Sequence, residues 1–457
     1  MLLVALLLLL SSSPSSSSSP PAAPLRGAGL RGPGSRGANG VSTTFARVPL
    51  RSLLVRSGGP RPLLEELRGA VAAPQRWVTH DDFAEKRDTY PAAAREHEVR
   101  IRNYDEMQFF GELGVGTPPQ LISVVFDTGS GHMIIKGAAC THCQGGDDPG
   151  YDRTKSSSYR KTDLPMGVHY SSGQVSGFEA HETISLAGYA APDVLVSVAQ
   201  SEGSLFAGFH FDGIMGLSLI VERNHDTDLF SQIIRANPAM DPVFALYLTP
   251  HRNQQGSELS VGGYDPSKAA PTAAWHFVPV LKYPSAHMYT YWAVRMTDFH
   301  AEAAQGGASA NACASLGEGG ASPHCTAIVD SGTTFLAVGM RYFDGVMKDV
   351  LRGQPDCRFQ SATQQYACFG TSVASFPTLR FSFGKGATFH IKPSEYVQDM
   401  GAEQGLLPRL RKHNTGNGLQ FWIFGDFFMR KYYTVFDHGF MRLGFACAVG
   451  QEAACRG

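Results

Sequence analysis

The chain has 457 residues, enough for more than one domain with its own core, which excludes a single small domain. Lys and Arg total 39 against 40 Asp and Glu, so there is no net field to hold nucleic acid or an anionic membrane, and a polyanion partner is not expected. The 50 Gly, 27 Pro and 28 Phe suit many short strands and tight turns better than a helical bundle, and the predicted fold class is all-β.

In chain order, residues 2–10, LLVALLLLL, are wholly apolar and are followed by a Ser/Pro run. This is the pattern of a signal-peptide core, too short to span a bilayer, although no Lys or Arg precedes it, and residues 1–20 are assigned to it. Residues 11 to about 42 are Ser-, Pro-, Gly- and Arg-rich with few large apolar side chains, which predicts a disordered spacer. Residues 45–72 begin basic and then place Leu63, Leu64, Leu67 and Val71 at helical spacing, which fits one strand and a helix. Beyond about 98 the texture changes to runs such as LISVVFDTGS and KYYTVFDHGFMRLGFA, β-branched, aromatic and punctuated by Gly, which read as strands and turns. No later stretch has the length of a transmembrane helix, so a soluble mature protein without a membrane anchor is expected.

The eight cysteines fall into four sequence-local couples, 140 with 143, 313 with 325, 357 with 368, and 447 with 455. In a secretory context these read as disulfide-closed loops. Eight reduced thiols are the bland alternative, and Cys140-Thr-His-Cys143 also fits half of a zinc site or a redox pair. A zinc site needs a second pair at similar spacing, which the other couples do not supply; neither metal nor cofactor is expected.

The most informative comparison is internal. VVFDTGSGHMII at 124–135 echoes AIVDSGTTFLAV at 327–338: an apolar strand, then Asp-(Thr/Ser)-Gly-(Ser/Thr), then a second apolar run. Asp127 and Asp330 stand about one domain length apart, as two related halves each donating one carboxylate would place them. Two close carboxylates cannot both ionise, so one serves as base while the other remains an acid; the handling of this pair is a general principle of carboxylate dyads. A water held between them can be deprotonated and driven at a peptide carbonyl while the protonated partner supports the developing oxyanion. Gly129 and Gly332 let backbone N–H groups approach the carboxylates, Ser130 and Thr333 can donate hydroxyl hydrogen bonds, and Thr128 with Ser331 can cross-bond the two loops. Either tripeptide alone is an ordinary turn sequence; the repeat is what carries the reading.

From these motifs the sequence closely resembles the pepsin-like aspartic protease family, over about 44 to 446. FFGELGVGTPPQ at 109–120, FDGIMGL at 211–217, YWAVRMTDF at 291–299 and FGDFFMRKYYTVFDHGFMRLGFA at 424–446 carry the likeness beyond the two Asp motifs. The resemblance implies a bilobal pepsin-like fold: two related β-barrel-like lobes, 98–270 and 271–457, with the active-site cleft between them. Spacer and inhibitory propeptide would occupy 21–97, made as part of a zymogen and cut near 90–104, with Arg47, Arg51 and Arg56 pairing carboxylates of the mature enzyme. VHYSSGQVSG at 168–177 resembles the flap, with Tyr170 as the flap tyrosine. Gly129, Ser171, Ser172, Gly332, Thr333 and Thr334 would then hydrogen-bond an extended substrate with apolar residues around the cut. The Cys couples 140/143, 313/325 and 357/368 resemble the family's bridges, whereas 447/455 has no expected counterpart. Implied partners are peptide or protein substrates, pepstatin-like inhibitors and the chain's own propeptide; a monomer is expected, secreted or held in an acidic vesicular or vacuolar compartment.

Two departures stand out. The family carries a Trp near the first Asp loop that buttresses the flap tyrosine, and this chain has His132, Met133, Ile134 and Ile135 there. His132 reads as a structural residue rather than a base. An Ala/Gly-rich insertion at about 301–324 reads as a flexible surface excursion. The rival functions are a catalytically silent peptide-binding protein on the same fold, which would tolerate a damaged Asp motif, and a glycosidase with paired carboxylates, which leaves the repeated Gly/Ser context unexplained. A redox or zinc role would rest on one CxxC.

Overall fold

The computed structural model describes residues 97–456 except 105–107, 142, 144–148, 171–172, 203–209, 222–226, 252, 283–288, 304–306, 315–323, 362 and 414–419. The assigned signal peptide, the spacer and the helical pattern at 45–72 lie outside these residues. Within the first half the strands are β1 Glu98–Tyr104, β2 Gln108–Val115, β3 Gln120–Asp127, β4 Met133–Lys136, β5 Arg160–Tyr170, β6 Gly173–Leu186, β7 Tyr189–Glu202, β8 Gly213–Gly216, β9 Val243–Tyr247 and β10 Ser257–Val261. The second half continues with β11 His276–Pro279, β12 Ala293–Glu302, β13 Cys325–Val329, β14 Leu336–Gly339, β15 Asp356–Gln360, β16 Gln365–Phe369, β17 Thr378–Phe383 and β18 Ala387–Ile391. It ends with β19 Val397–Asp399, β20 Leu406–Pro408, β21 Leu410–His413, β22 Phe421–Phe424, β23 Tyr432–Asp437 and β24 Arg442–Cys447. The longer helices are α1 Leu229–Ala236 and α2 Met340–Val350.

Among the described residues the strands form three sheets. One runs in the order β11-β24-β23-β9-β10-β1-β2-β3-β8-β4-β7-β6-β5, so strands of both halves meet at the β23 and β9 pairing. A second runs β18-β17-β12-β13-β22-β14-β21, and β15, β16, β20 and β19 make the third. All described residues lie in one compact unit.

The halves repeat one topological device. β3 ends at Asp127, and β8 is inserted between it and β4, parallel to β3 and antiparallel to β4. β13 ends one residue before Asp330, and β22 is inserted between it and β14 in the same two senses. Strands with neighbours on both sides and covered on both faces read as apolar runs, and QLISVVFD and CTAIV do so. The second lobe's core is built on aromatics, with Phe381 and Phe424 at 4.7 Å and Phe383 and Phe445 at 5.6 Å between ring centroids.

Trp292 joins the halves. It is fully buried, and its indole N–H donates to the Leu217 carbonyl at 2.7 Å. The insertion is more ordered than its composition predicts: Ala308 bridges Glu302, the Asn311 side chain accepts from the Phe299 N–H at 3.2 Å, and Cys313 is buried against Cys325. These contacts fold its described part back onto β12, because Asn311 and Cys313 supply hydrogen bonds and a covalent link that the Ala/Gly background does not; 315–323 lie outside the described residues.

Candidate active site

Because β8 separates β3 from β4, the loop after Asp127 must cross over the end of β8, and the backbone ties it there. Leu217 N–H donates to Asp127 O at 2.7 Å, Ser218 N–H to Ser130 O at 3.0 Å and Gly216 N–H to His132 O at 2.8 Å. The second loop is held likewise, with Asp330 N–H on Phe424 O at 3.0 Å and Asp426 N–H on Thr333 O at 2.7 Å. Each Asp is thus fixed at a strand end, on rigid backbone rather than a free loop.

The two loops meet. Thr128 N–H donates to Ser331 Oγ at 3.0 Å, and Ser331 N–H donates to Thr128 Oγ1 at 3.0 Å. The hydroxyls in turn donate across the interface, Thr128 to the Val329 carbonyl at 2.9 Å and Ser331 to the Phe126 carbonyl at 2.5 Å. Each carboxylate receives a matching pair of donors. Asp127 accepts from Gly129 N–H at 2.9 Å and Ser130 Oγ at 2.5 Å; Asp330 accepts from Gly332 N–H at 2.8 Å and Thr333 Oγ1 at 2.6 Å. Glycine is required by the close approach: a Cβ on Gly129 would lie 2.5 Å from Asp330 Cγ, and one on Gly332 would lie 2.7 Å from Asp127 Cγ.

Asp127 and Asp330 are only 1 % and 3 % exposed, and burial pushes both carboxyls up. Asp330 rises well above the usual carboxylate range because the charge of Asp127 adds to its burial. For Asp127 the Ser130 hydroxyl and a hydrogen bond from Asp330 oppose burial, with a smaller contribution from the charge of His132. Of the two, Asp330 is pushed further toward the protonated form, since it carries the repulsion of Asp127 as well as its burial. Such a site holds a base and an acid within reach of one bound water.

The register extends the site sideways. Val125 precedes Asp127 by two and shares its face, and it stands in a lateral row Phe110, Val125, Ile214, Ile134, Ser197 across β2, β3, β8, β4 and β7. Ile328 precedes Asp330 by two and stands in the equivalent row Ala293, Ile328, Ile423, Ala337, Arg411 across β12, β13, β22, β14 and β21. The first row packs with Met166, Val175, Ala199 and Phe211, and the second with Phe335. Apolar walls thus flank the dyad on both sides. Where the missing Trp was expected, Ile134 joins one buried cluster with Met166 and Val175 of the β5–β6 hairpin, so an aliphatic contact supports the hairpin towards its closing end.

Of the remaining expected residues, Tyr170 ends β5, while Ser171 and Ser172 at the hairpin tip lie outside the described residues. Thr334 is buried next to Thr333. Four disulfides are present, Cys140–Cys143, Cys313–Cys325, Cys357–Cys368 and also Cys447–Cys455, which anchors the terminal helical turn Glu452–Cys455. Among the described residues, Glu98, Glu258 and Asp265 bring carboxylate oxygens within 4.8 Å of one another, away from the dyad, and the Lys268 ammonium lies 2.6 Å from Glu258. Sequence reasoning missed the backbone acceptors Phe126 and Val329, the reach of Trp292 and the place of Arg411, since each depends on which strands are neighbours.

Comparison with known proteins agrees with this geometry. Residues 108–448 match the family model of eukaryotic aspartyl proteases. Gastricsin of Mus musculus is 29 % identical over 355 residues, covering 76 % of this chain and 82 % of the relative. Chymosin of Camelus dromedarius is 29 % identical over 354 residues, with 76 % and 83 % covered, and gastricsin of Suncus murinus is 30 % identical over 359 residues, with 76 % and 82 % covered. With the match running from β2 to the residue after β24, the chain belongs to the eukaryotic aspartyl protease family.

Proposed function

We propose that the protein is an aspartic endopeptidase in which Asp127 and Asp330 hydrolyse peptide bonds through a water activated between them. The observation that carries this reading is the interlocked pair of glycine turns, each presenting its Cα hydrogens to the opposite carboxylate at a distance that admits no side chain. Asp127 takes the water's proton as the oxygen attacks the carbonyl carbon, and the proton on Asp330 passes to the developing oxyanion to give a gem-diol. Asp127 then gives its proton to the amide nitrogen as the C–N bond breaks, while Asp330 takes one back from a diol hydroxyl as the carbonyl re-forms. The Thr128 and Ser331 crosslink holds the two carboxylates at a fixed separation, so little reorganisation accompanies the step. Apolar walls on both rows favour apolar side chains around the cut.

Synthesis as a zymogen accompanies this reading. β1 is paired on both edges, to β10 and β2, so a cut on the N-terminal side of Glu98 frees a propeptide and leaves β1 in its sheet. The apolar run at 2–10 and four disulfides support a secretory route. Among the described residues no helix is long and apolar enough to cross a membrane.

The test is peptide-library cleavage by acid-treated protein, with and without pepstatin. Asp127→Asn and Asp330→Asn are expected to lower kcat by at least about 10³-fold while leaving the fold intact. Undiminished cleavage by either variant sinks the mechanism; pepstatin binding without cleavage by the wild type favours a silent peptide-binding protein.

A further inference from the structure

The two lateral rows beside the dyad match position for position until their last member. Phe110 corresponds to Ala293, Val125 to Ile328, Ile214 to Ile423 and Ile134 to Ala337, all apolar; then Ser197 on β7 corresponds to Arg411 on β21. In-register neighbours on adjacent strands point their side chains to the same face, so Arg411 shares the face of Ala337, Ile328 and, two residues on, Asp330. We propose that Arg411 gives the second-lobe side of the cleft a recognition point for a carboxylate, so that favoured substrates carry Glu or Asp on one side of the cut bond. This rests on the endopeptidase reading and names its substrate class.

The side chain is held for such a role. Its guanidinium carbon lies 4.2 Å from the centroid of Phe335, five residues past Asp330, and its Nε donates to Gln365 Oε1 at 3.1 Å. Stacking on a ring fixes the guanidinium plane, the orientation that two-pronged carboxylate binding needs. Arg409, on the adjoining turn of chain, adds positive charge, and burial together with that charge lowers the Arg411 pKa to about 10. The group remains a cation at any pH where the dyad works, in a half-buried place where a second anion is worth more than in open water. Three strand spacings of about 4.8 Å separate β13 from β21, and the fold back onto Phe335 shortens this, so the charge lies roughly two to three residues from the cut in an extended peptide. The first lobe offers only Ser197 in the matching place, so the preference is one-sided.

The experiment uses acid-activated full-length protein and peptide pairs identical except for Glu or Gln, scanned over the positions on both sides of one cut. Wild type is expected to favour Glu at a position on one side by about 10- to 100-fold in kcat/KM, the worth of a charge-assisted hydrogen-bonded pair. That preference should fade as pH falls through about 4.3, where the substrate carboxylate protonates. Arg411→Gln is expected to bring the Glu-to-Gln ratio, taken within the variant itself, to about one whatever its rate on either peptide, and Arg411→Lys to keep part of the preference. The idea is overturned if wild type shows no Glu preference at any position, if the preference ignores pH, or if it survives in Arg411→Gln. Should Arg411→Gln not fold, the wild-type pH profile and Arg411→Lys still decide. Failure of wild type to cut even the Gln peptides would instead overturn the endopeptidase reading beneath it.

Discussion

Thr128 and Ser331 exchange backbone-to-hydroxyl hydrogen bonds in both directions, each 3.0 Å long, across the junction between the two halves. Each hydroxyl also donates into the opposite lobe, so one residue pair makes four bonds, with Thr128 fully buried and Ser331 half-buried. Removing the Ser331 hydroxyl takes the acceptor from the buried Thr128 N–H and a donor from the Phe126 carbonyl, and removing the Thr128 hydroxyl does the same to the half-buried Ser331 N–H and the Val329 carbonyl. Thr128→Val or Ser331→Ala is expected to cost about 1–3 kcal/mol of stability and to lower kcat by about 10- to 100-fold with little change in KM, because the carboxylates lose their common brace. Thr128→Ser, which keeps the hydroxyl, should stay within about threefold of wild type. Urea melts and steady-state kinetics on a double-mutant cycle check this: additive effects would show that the bonds do not act as a unit.

Gly332→Ala tests the approach itself. The added methyl would sit against Asp127 Cγ at 2.7 Å, so the loops must part. Cleavage is expected to fall by about 10²-fold or more, since small misplacements at a reacting centre have that effect. A fully active Gly332→Ala protein would mean that the two carboxylates do not need this spacing.

Glu202 carries a pH dependence of stability. It ends β7, is buried, and faces Lys136 and Asp212, which pair with each other at 2.7 Å. Burial, with the charge of Asp212, outweighs the attraction of Lys136 and pushes the Glu202 carboxyl up to about 7. Below about pH 4 the group is protonated in both the folded and unfolded chain and contributes no difference. Between that and about 7 only the unfolded chain gives up its proton, so the folded state binds more protons and loses stability as pH rises. Glu202→Gln should therefore unfold like wild type at pH 4 and be about 1–3 kcal/mol more stable at pH 8. Equal urea midpoints for the two proteins at pH 8 would contradict the burial of this charge.

The dyad loops were legible because the chemistry is local: the carboxylate, the glycine that approaches it and the hydroxyl that bonds it lie within four consecutive residues, written twice. The β class was legible from apolar runs such as QLISVVFD, whose side chains from Ile122 on are buried on both faces. The insertion of β8 and β22 into the pairs they divide was not, since VVFD and FDGIMGL carry no mark of being neighbours. The lateral rows share that reason, and so does Arg411, which is distant in sequence from its in-register neighbour Ala337. The ordering of the insertion was hidden because its Ala and Gly residues mask the few side chains that hold it, Asn311 and Cys313.

Trp292 links the two Asp-bearing strands by different parts of one residue. Its carbonyl accepts from Val329 N–H at 3.0 Å, one residue before Asp330, while its indole N–H donates to Leu217 O at 2.7 Å. Leu217 in turn donates to the Asp127 carbonyl at 2.7 Å. The ring is wedged against Phe244 and Phe436, at 5.8 and 5.3 Å between centroids. Trp292→Phe keeps most of the packing and removes the indole N–H, so the Leu217 carbonyl loses that donor in the buried interior. Stability is expected to fall by about 1–3 kcal/mol, and kcat to fall further than KM rises, since the bond bears on how the Asp127 loop faces the Asp330 loop. Trp292→Ala, which also empties a large buried space, should cost about 3–5 kcal/mol. If Trp292→Phe melts and turns over like wild type, the indole bond contributes packing alone, and the alignment of the loops rests on the Thr128 and Ser331 exchange.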